Sequence, residues 1–398
     1  MGVLPGTIRN GHRLAVVGLL AGVLVTSGCG TSSLDQSGEG QAAGDVKIGL
    51  LVPLSGVYAP LGQDMRNGFQ LYLDQHGGKF AGRTVNLVTA DEGDGPQTGV
   101  PAAQKLVTQD QVTAVAGIVN SAVALGVRDL FHESKVPLVI ANAGADAITG
   151  ARKSDYVWRT SFSNGKVSAA LGAAVAQEVK GGKVYLIAAD YAAGKEMVAG
   201  FKSIFQAAGG TVAGEKYTPF GKTQDFQPYL SEILSSGATA VYSFYAGAEA
   251  VSFVQQYQQF GLKRIPLYGP GFLTEGGVLK AQGQAAVGVK TSLHYSTELD
   301  SPRNKEFVEA YRKAFNAPPT VYAVQAYDAA AVLDKALANA SGSGGEAIVK
   351  ALTAIGPVDS PRGQWSFDPN HDPDQPYYLR EVRAGGGGVV NAVIRELS

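Results

Sequence analysis

One cysteine, Cys29, stands in 398 residues. No disulfide can therefore close within the chain, and folding must rest on burial and hydrogen bonding. Charge is scarce as well: charged residues make up 17% against 45% hydrophobic, and the formal net charge is −1. That balance excludes the basic footprint a nucleic-acid partner requires. It suits a buried globular core rather than a disordered chain. The N-terminal apolar run LAVVGLLAGVLV (14–25) is only 12 residues long, too short to cross roughly 30 Å of hydrocarbon as a helix.

The common enzyme signatures are missing too. AAGKE (192–196) follows a strand but lacks the leading glycine and the Ser/Thr of a phosphate loop. No serine sits at the centre of a G-x-S-x-G elbow. His12, His76, His132, His294 and His371 form no H-E-x-x-H pair. DEGDG (91–95) lacks the alternation and terminal Glu of a calcium loop and reads as a turn, as does DPNHD (368–372). No enzyme activity, cofactor or metal is expected.

What is present begins at the N-terminus. Arg9 and Arg13 precede the apolar run, and Thr26, Ser27 and Gly28 follow it, which together make an export signal. The small residues before Cys29 resemble a bacterial lipobox. That resemblance implies cleavage ahead of Cys29, lipidation of its thiol and tethering to the outer face of the cytoplasmic membrane. Residues 1–28 are accordingly expected as a lipoprotein signal peptide. Residues 29–44, rich in Gly, Ser and Gln, are expected as a flexible tether.

From Asp45 onward, apolar strand runs alternate with helical periodicity. VKIGLLVPL (46–54), TVNLVTAD (84–91), TAVAG (113–117) and VPLVIA (136–141) are separated by helices at 61–75, 96–107 and 122–133. KVYLIAAD (183–190), GTVAGEKYT, ATAVYSFY (238–245) and IPLYG repeat the pattern around helices near 197–207, 227–235 and 249–260. Such alternation implies parallel sheets covered on both faces, and its length implies an α/β chain of two doubly wound lobes. Helices at 302–315 and 323–338, strands at GQWSF and YYLREV, and a closing VVNAVIREL follow.

Ligands of open parallel sheets bind beyond the carboxyl ends of strands. Those ends supply Tyr58, Asn120, Ser121, Asn142, Ala143, Gly144, Tyr191, Phe244, Tyr245, Ala246, Gly271 and Phe272. The set offers hydroxyls, backbone donors and ring faces without an acid/base pair, which suits holding a small molecule rather than transforming it. Ser121 also reads as a helix N-cap, and Tyr191, Phe244 and Tyr245 as ordinary core aromatics.

The ordered segments VKIGLLVPLSGVYAPLGQDMRNGFQLYLD, VTADEGDGPQTGVPAAQKLV, AVAGIVNSAVAL, VPLVIANAGA, YVWRTSF, VYLIAADYAAGKEM and LYGPGFLTEG resemble type I periplasmic binding proteins. Within that family they are most similar to the branched-chain amino acid and amide receptors of ABC importers. The resemblance implies two lobes joined by hinge crossovers near Thr160-Ser161, Leu293-His294 and Pro376-Tyr377. Lobe 1 would comprise residues 45–160 plus 294–376, and lobe 2 residues 161–293 plus 377–398. It also implies that Ser121 and N–H groups near Ala143 and Gly144 hold a carboxylate, while Tyr191 and Phe244-Tyr245-Ala246 close from the second lobe. Family amino acid receptors place an acid after Gly-Pro to meet an ammonium; Gly271 stands there, and Leu61 replaces a frequent aromatic. The expected ligand is thus an apolar or aromatic carboxylate, with a hydrophobic amino acid open if Asp190, Glu249 or Glu275 substitutes. Expected partners are that ligand, a permease and the membrane through Cys29, with the chain acting as a monomer. A ligand sensor of the same fold, signalling to a membrane partner, is the alternative.

Overall fold

The computed structural model describes residues 44–342, 344–385 and 388–397. The expected signal, Cys29 and nearly all of the tether lie outside the described residues. No described helix is long and apolar enough to cross a membrane.

The first lobe opens with β1 (Val46–Val52), α1 (Ala59–Gln75), β2 (Lys79–Phe80), β3 (Arg83–Asp91), α2 (Pro96–Thr108), β4 (Ala114–Gly117), α3 (Ser121–Ser134), β5 (Leu138–Ile140) and β6 (Val157–Arg159). Its sheet runs β2-β3-β1-β4-β5-β6. All neighbours are parallel except β2, which pairs antiparallel with β3. Central β1 is buried on both faces, which is why its sequence is a nearly unbroken apolar run. Ile48, Leu50 and Val52 pack with Phe69 and Tyr72 of α1 on one face. Leu51 packs with Leu106 and Val123 on the other.

The second lobe continues with α4 (Asn164–Val179), β7 (Lys183–Asp190), α5 (Ala192–Ala207), β8 (Thr211–Pro219), α6 (Gln227–Ser235), β9 (Ala240–Phe244), α7 (Gly247–Gln259), β10 (Leu267–Pro270), α8 (Gly277–Gln282) and β11 (Lys290–Leu293). The chain then returns to the first lobe. There α9 (Pro302–Phe315) and α10 (Val321–Asn339) pack on α1, and α11 (Gly345–Thr353) and a short hairpin, β12 (Ser366–Phe367) with β13 (Pro373–Asp374), follow. It closes with β14 (Tyr377–Gly385) and β15 (Gly388–Leu397) back in the second sheet, ordered β15-β14-β11-β10-β9-β7-β8. The chain therefore changes sheets three times: between Arg159 and Asn164, after Leu293, and before Tyr377.

Three buried ion pairs surround these passages. Arg159 meets Asp372 at 2.6 Å, Arg362 meets Asp328 at 2.7 Å, and Arg380 meets Glu275 at 3.0 Å. Arg362 also donates to the Thr160 carbonyl at 2.5 Å and to Ser161 O at 3.3 Å, and it contacts Gln375. Residues of the first and third passages are thus held by one guanidinium.

Several elements depart from the sequence expectation. Helix α4 and strand β11 carry no clear period, whereas the short α11 does, its buried Ile348, Ala351 and Leu352 standing at helical spacing. Alanine and glycine dominate α4, and three of the four residues KTSL of β11 are polar. The strand expected at GQWSF shrinks to two residues, Trp365 making only an isolated bridge to Val358.

Candidate functional site

At the end of β1 the chain turns through Ser55–Tyr58, and acids from the neighbouring strand end hold it. Asp91 Oδ1 accepts the Leu54 N–H at 2.8 Å, its Oδ2 accepts the Ser55 hydroxyl at 2.6 Å, and Asp94 Oδ1 accepts the Val57 N–H at 2.8 Å. The DEGDG segment is thus a turn whose acids fasten a loop, and it delivers Tyr58 to the start of α1.

The next strand end, after β4, is fastened by a buried acid. Glu92 accepts the Val119 and Asn120 N–H groups at 2.8 and 2.6 Å. Burial pushes its carboxyl up to about 8 despite those two donors. The N-cap of α3 is Asn120, not Ser121: its Oδ1 accepts from the Ala122 and Val123 N–H groups. Ser121 is the first helical residue, and its Oγ accepts the Ala145 N–H at 3.1 Å. Its own hydroxyl proton is thereby left to point elsewhere.

These ends converge on a cavity of about 290 Å³ between the lobes. From the first lobe it is lined by Tyr58, Leu61, Val119, Asn120, Ser121, Ala122, Asn142, Gly144 and Tyr322. The second lobe and the passage into it supply Phe162, Asn164, Tyr191, Ala192, Ala193, Met197, Phe220, Phe244, Ala246 and Phe272. The rings pack against one another: Phe162 and Phe272 lie 4.6 Å apart, and Tyr191 stacks on Phe220 at 4.2 Å. Burial holds the Tyr191 and Tyr322 phenols well above their usual range and the Tyr58 phenol at about 12, so all three are neutral. No charged side chain is among the lining residues. An anion here must be met by N–H and O–H dipoles at the start of α3.

Nine of the twelve expected residues line this cavity, and three do not. Tyr245 points to the opposite face of β9, where it packs between Phe226 and Phe253 and hydrogen-bonds Thr218 Oγ1 at 3.2 Å. Ala143 is buried in the core, and its N–H is taken by the Ile118 carbonyl at 2.9 Å. The donor beside Ser121 is instead Gly144, whose N–H meets no protein acceptor among the described residues. A side chain there would stand 2.4 Å from the Phe162 ring, so glycine keeps the cavity open. Gly271 faces Leu293 and Arg380; a Cβ added to it would lie 2.4 Å from the Arg380 guanidinium rather than in the cavity.

The three acids considered as ammonium partners do not line the cavity either. Asp190 pairs with Lys195 at 2.9 Å, Glu275 is taken by Arg380 and the Val321 N–H, and Glu249 accepts the Thr223 N–H at 3.4 Å. Sequence reading missed Phe162, Asn164, Met197, Phe220 and Tyr322. Phe220 directly follows β8, so the strand-end rule finds it once that edge strand is included. Tyr322 arrives from α10, more than a hundred residues from the nearest lining residue of its lobe, and no local pattern marks it.

The periplasmic binding protein family model matches residues 45–387. The chain belongs to that family. It is 36% identical to a Leu/Ile/Val-binding protein homologue of Brucella melitensis, over 86% of this chain and 89% of that one. Two solved structures superpose closely. One is an ABC transporter solute-binding protein from R. palustris in complex with benzoate (38% identity, TM-score 0.81, 89% of this chain and 97% of that one). The other is a solute-binding protein from Rhodopseudomonas palustris HaA2 with p-hydroxybenzoic acid (32% identity, TM-score 0.83, 89% and 97%).

The buried acid behind this family member's cleft predicts a pH dependence. Glu92 has a folded-state pKa of about 8 against an ordinary 4.5, so the folded chain binds its proton more tightly than the unfolded one. Its contribution to stability is complete below about 4.5 and is lost as pH rises through 8. Denaturant unfolding should therefore show stability falling between pH 5 and 8 by up to about 1.4 kcal/mol per pH unit from this group. Glu92→Gln should flatten the profile; a profile unchanged by that substitution would contradict the assignment.

Proposed function

We propose that this chain is the exported solute-binding component of an ABC transporter, capturing a small aromatic or apolar carboxylate and delivering it to a permease. The observation that carries the reading is the cavity itself. Seven aromatic rings surround it, the Ser121 hydroxyl at the start of α3 and the Gly144 N–H in the loop after β5 both line it, and no carboxylate or cation faces inward. Rings accept a flat apolar body, and neutral donors at a helix start neutralise an anion. An α-amino acid would bring an ammonium with no carboxylate among the lining residues to receive it, at a cost of several kcal/mol. The benzoate and p-hydroxybenzoate bound by the two solved relatives support the aromatic acid.

Lining groups from both lobes imply a population shift. A ligand meets Ser121 and Gly144 together with Tyr191, Phe244 and Phe272 only when the lobes are closed, so it stabilises that form by the difference. Lipidation of Cys29 would keep the receptor at the membrane, beside its permease.

The test is calorimetry and thermal shift on the full chain in detergent with benzoate, 4-hydroxybenzoate, 4-methylpentanoate, leucine and phenylalanine. The carboxylates should bind one to one and add about 2.7 kcal/mol of stability at a hundredfold excess over Kd. Leucine or phenylalanine binding more tightly than the amine-free acids would refute the reading.

A further inference from the structure

A chain of polar side chains runs from the cavity into the hinge. Asn142, at the end of β5, lines the cavity and donates its Nδ2 to Gln325 Oε1 at 2.9 Å. Gln325, on α10 and fully buried, places its own Nε2 2.9 Å from Nε2 of His294, which follows β11 in the second passage. Neither Gln325 nor His294 lines the cavity.

With the Gln325 amide nitrogen placed toward His294 Nε2, donor and acceptor counting sets the polarity of this chain. An amide nitrogen carries only donors, so the His294 Nε2 facing it must be the bare, accepting nitrogen, and the ring proton sits on Nδ1. Burial, with Arg362 and Arg380 nearby, holds the His294 pKa well below its ordinary 6.5, so the ring is neutral and a bare nitrogen is present. Gln325 Oε1 is then committed to Asn142 Nδ2. Turning the Asn142 amide over would leave two carbonyl oxygens face to face in a buried place, an arrangement that costs a hydrogen bond and adds repulsion. The atom left over is Asn142 Oδ1. No hydrogen bond among the described residues ends on it, and His294 Nδ1, at the far end of the chain, likewise meets no partner there.

We infer that Gln325 and His294 are positioning residues that hold the Asn142 amide oxygen toward the ligand, so that the cavity selects carboxylates bearing a hydroxyl donor over the same acids without one. This rests on the carboxylate reading above. A hydroxyl fits better than an ammonium because it satisfies a carbonyl without bringing charge into a cavity whose lining holds no acid. A ligand lacking the donor leaves a desolvated carbonyl unmet, the asymmetry by which polar sites discriminate.

Calorimetry on the full chain with matched acids tests this: benzoate against its 2-, 3- and 4-hydroxy forms, and 3-phenylpropanoate against 2-hydroxy-3-phenylpropanoate. At least one hydroxylated member should bind about five- to tenfold more tightly than its parent. Gln325→Met should collapse that preference to within about twofold while leaving the parent acid's affinity nearly unchanged. Gln325→Glu keeps an acceptor for Asn142 Nδ2 and should restore the preference, which a merely structural role would not do. A wild-type chain without the preference, or one retained in Gln325→Met, overturns the inference. Independently of ligand, 15N NMR of His294 should show Nδ1 protonated and Nε2 bare; a protonated Nε2 overturns the stated polarity. If no acid of any pair binds, the carboxylate reading falls and the selection with it, while the NMR result still decides the relay.

Discussion

Replacing Arg362 by methionine is expected to lower the free energy of unfolding by about 3–5 kcal/mol, because it strips a buried carboxylate of its counter-charge. Asp328 is fully buried, and beyond Arg362 it keeps only Ser360 Oγ at 2.9 Å and Trp365 Nε1 at 3.2 Å as donors. The same change removes the donor to the Thr160 carbonyl and one of two donors to Ser161 O. Methionine fills much of the volume, so the loss is electrostatic and polar rather than a cavity. The pair itself is weak evidence for net stability, since burying both charges costs about what their attraction returns. Asp328→Leu combined with Arg362→Met should therefore recover a good part of the loss. Urea denaturation of the wild type, the single variant and the double variant measures all three. A single variant within about 1 kcal/mol of wild type would show that the charge is not isolated as the geometry requires.

That clamp marks the limit of what sequence could reveal. The central strands were readable because a parallel strand buried on both faces must be apolar along its buried length, as VKIGLLV is but for Lys47 and KVYLIAAD is between its charged ends. Ion pairs such as Arg159–Asp372, separated by 213 positions, and Arg380–Glu275, separated by 105, leave no local trace. Helix α4 was invisible for a different reason. Its buried face is built from Val167, Leu171 and Val175 among Ser, Gly and Ala residues, small enough to let α5 pack closely and too weakly apolar to set a period.

At the site, strand ends named most of the lining, because the switch from sheet to loop is where backbone donors and side chains become available. The error at Tyr245 was avoidable. Side chains alternate along a strand, so Phe244 and Ala246 can face one side only if Tyr245 faces the other, and Tyr245 belongs to the cluster with Phe253 and Tyr257. Ala143 and Gly144 divide the same way: one spends its N–H inside the fold, the other faces the cavity. Gln325 and His294 escaped notice because their role exists only through Asn142, and the three come together from β5, α10 and the passage after β11.

Ser121→Ala is expected to weaken binding of benzoate by about 10- to 100-fold, the range for losing one hydrogen bond to a charged acceptor. The hydroxyl has two tasks. As acceptor it holds the Ala145 N–H at 3.1 Å, and as donor it is free to face the cavity beside the Gly144 N–H. Removing it therefore leaves an unpaired backbone donor in the loop after β5 and removes a donor from the anion's end of the site. The first loss should appear as a drop of about 1–3 kcal/mol in the ligand-free protein. The second appears only in the affinity, so calorimetry and ligand-free unfolding on the same variant separate the two. A stability loss with benzoate affinity within about threefold of wild type would mean that the carboxylate sits elsewhere, and that Ser121 serves the loop alone.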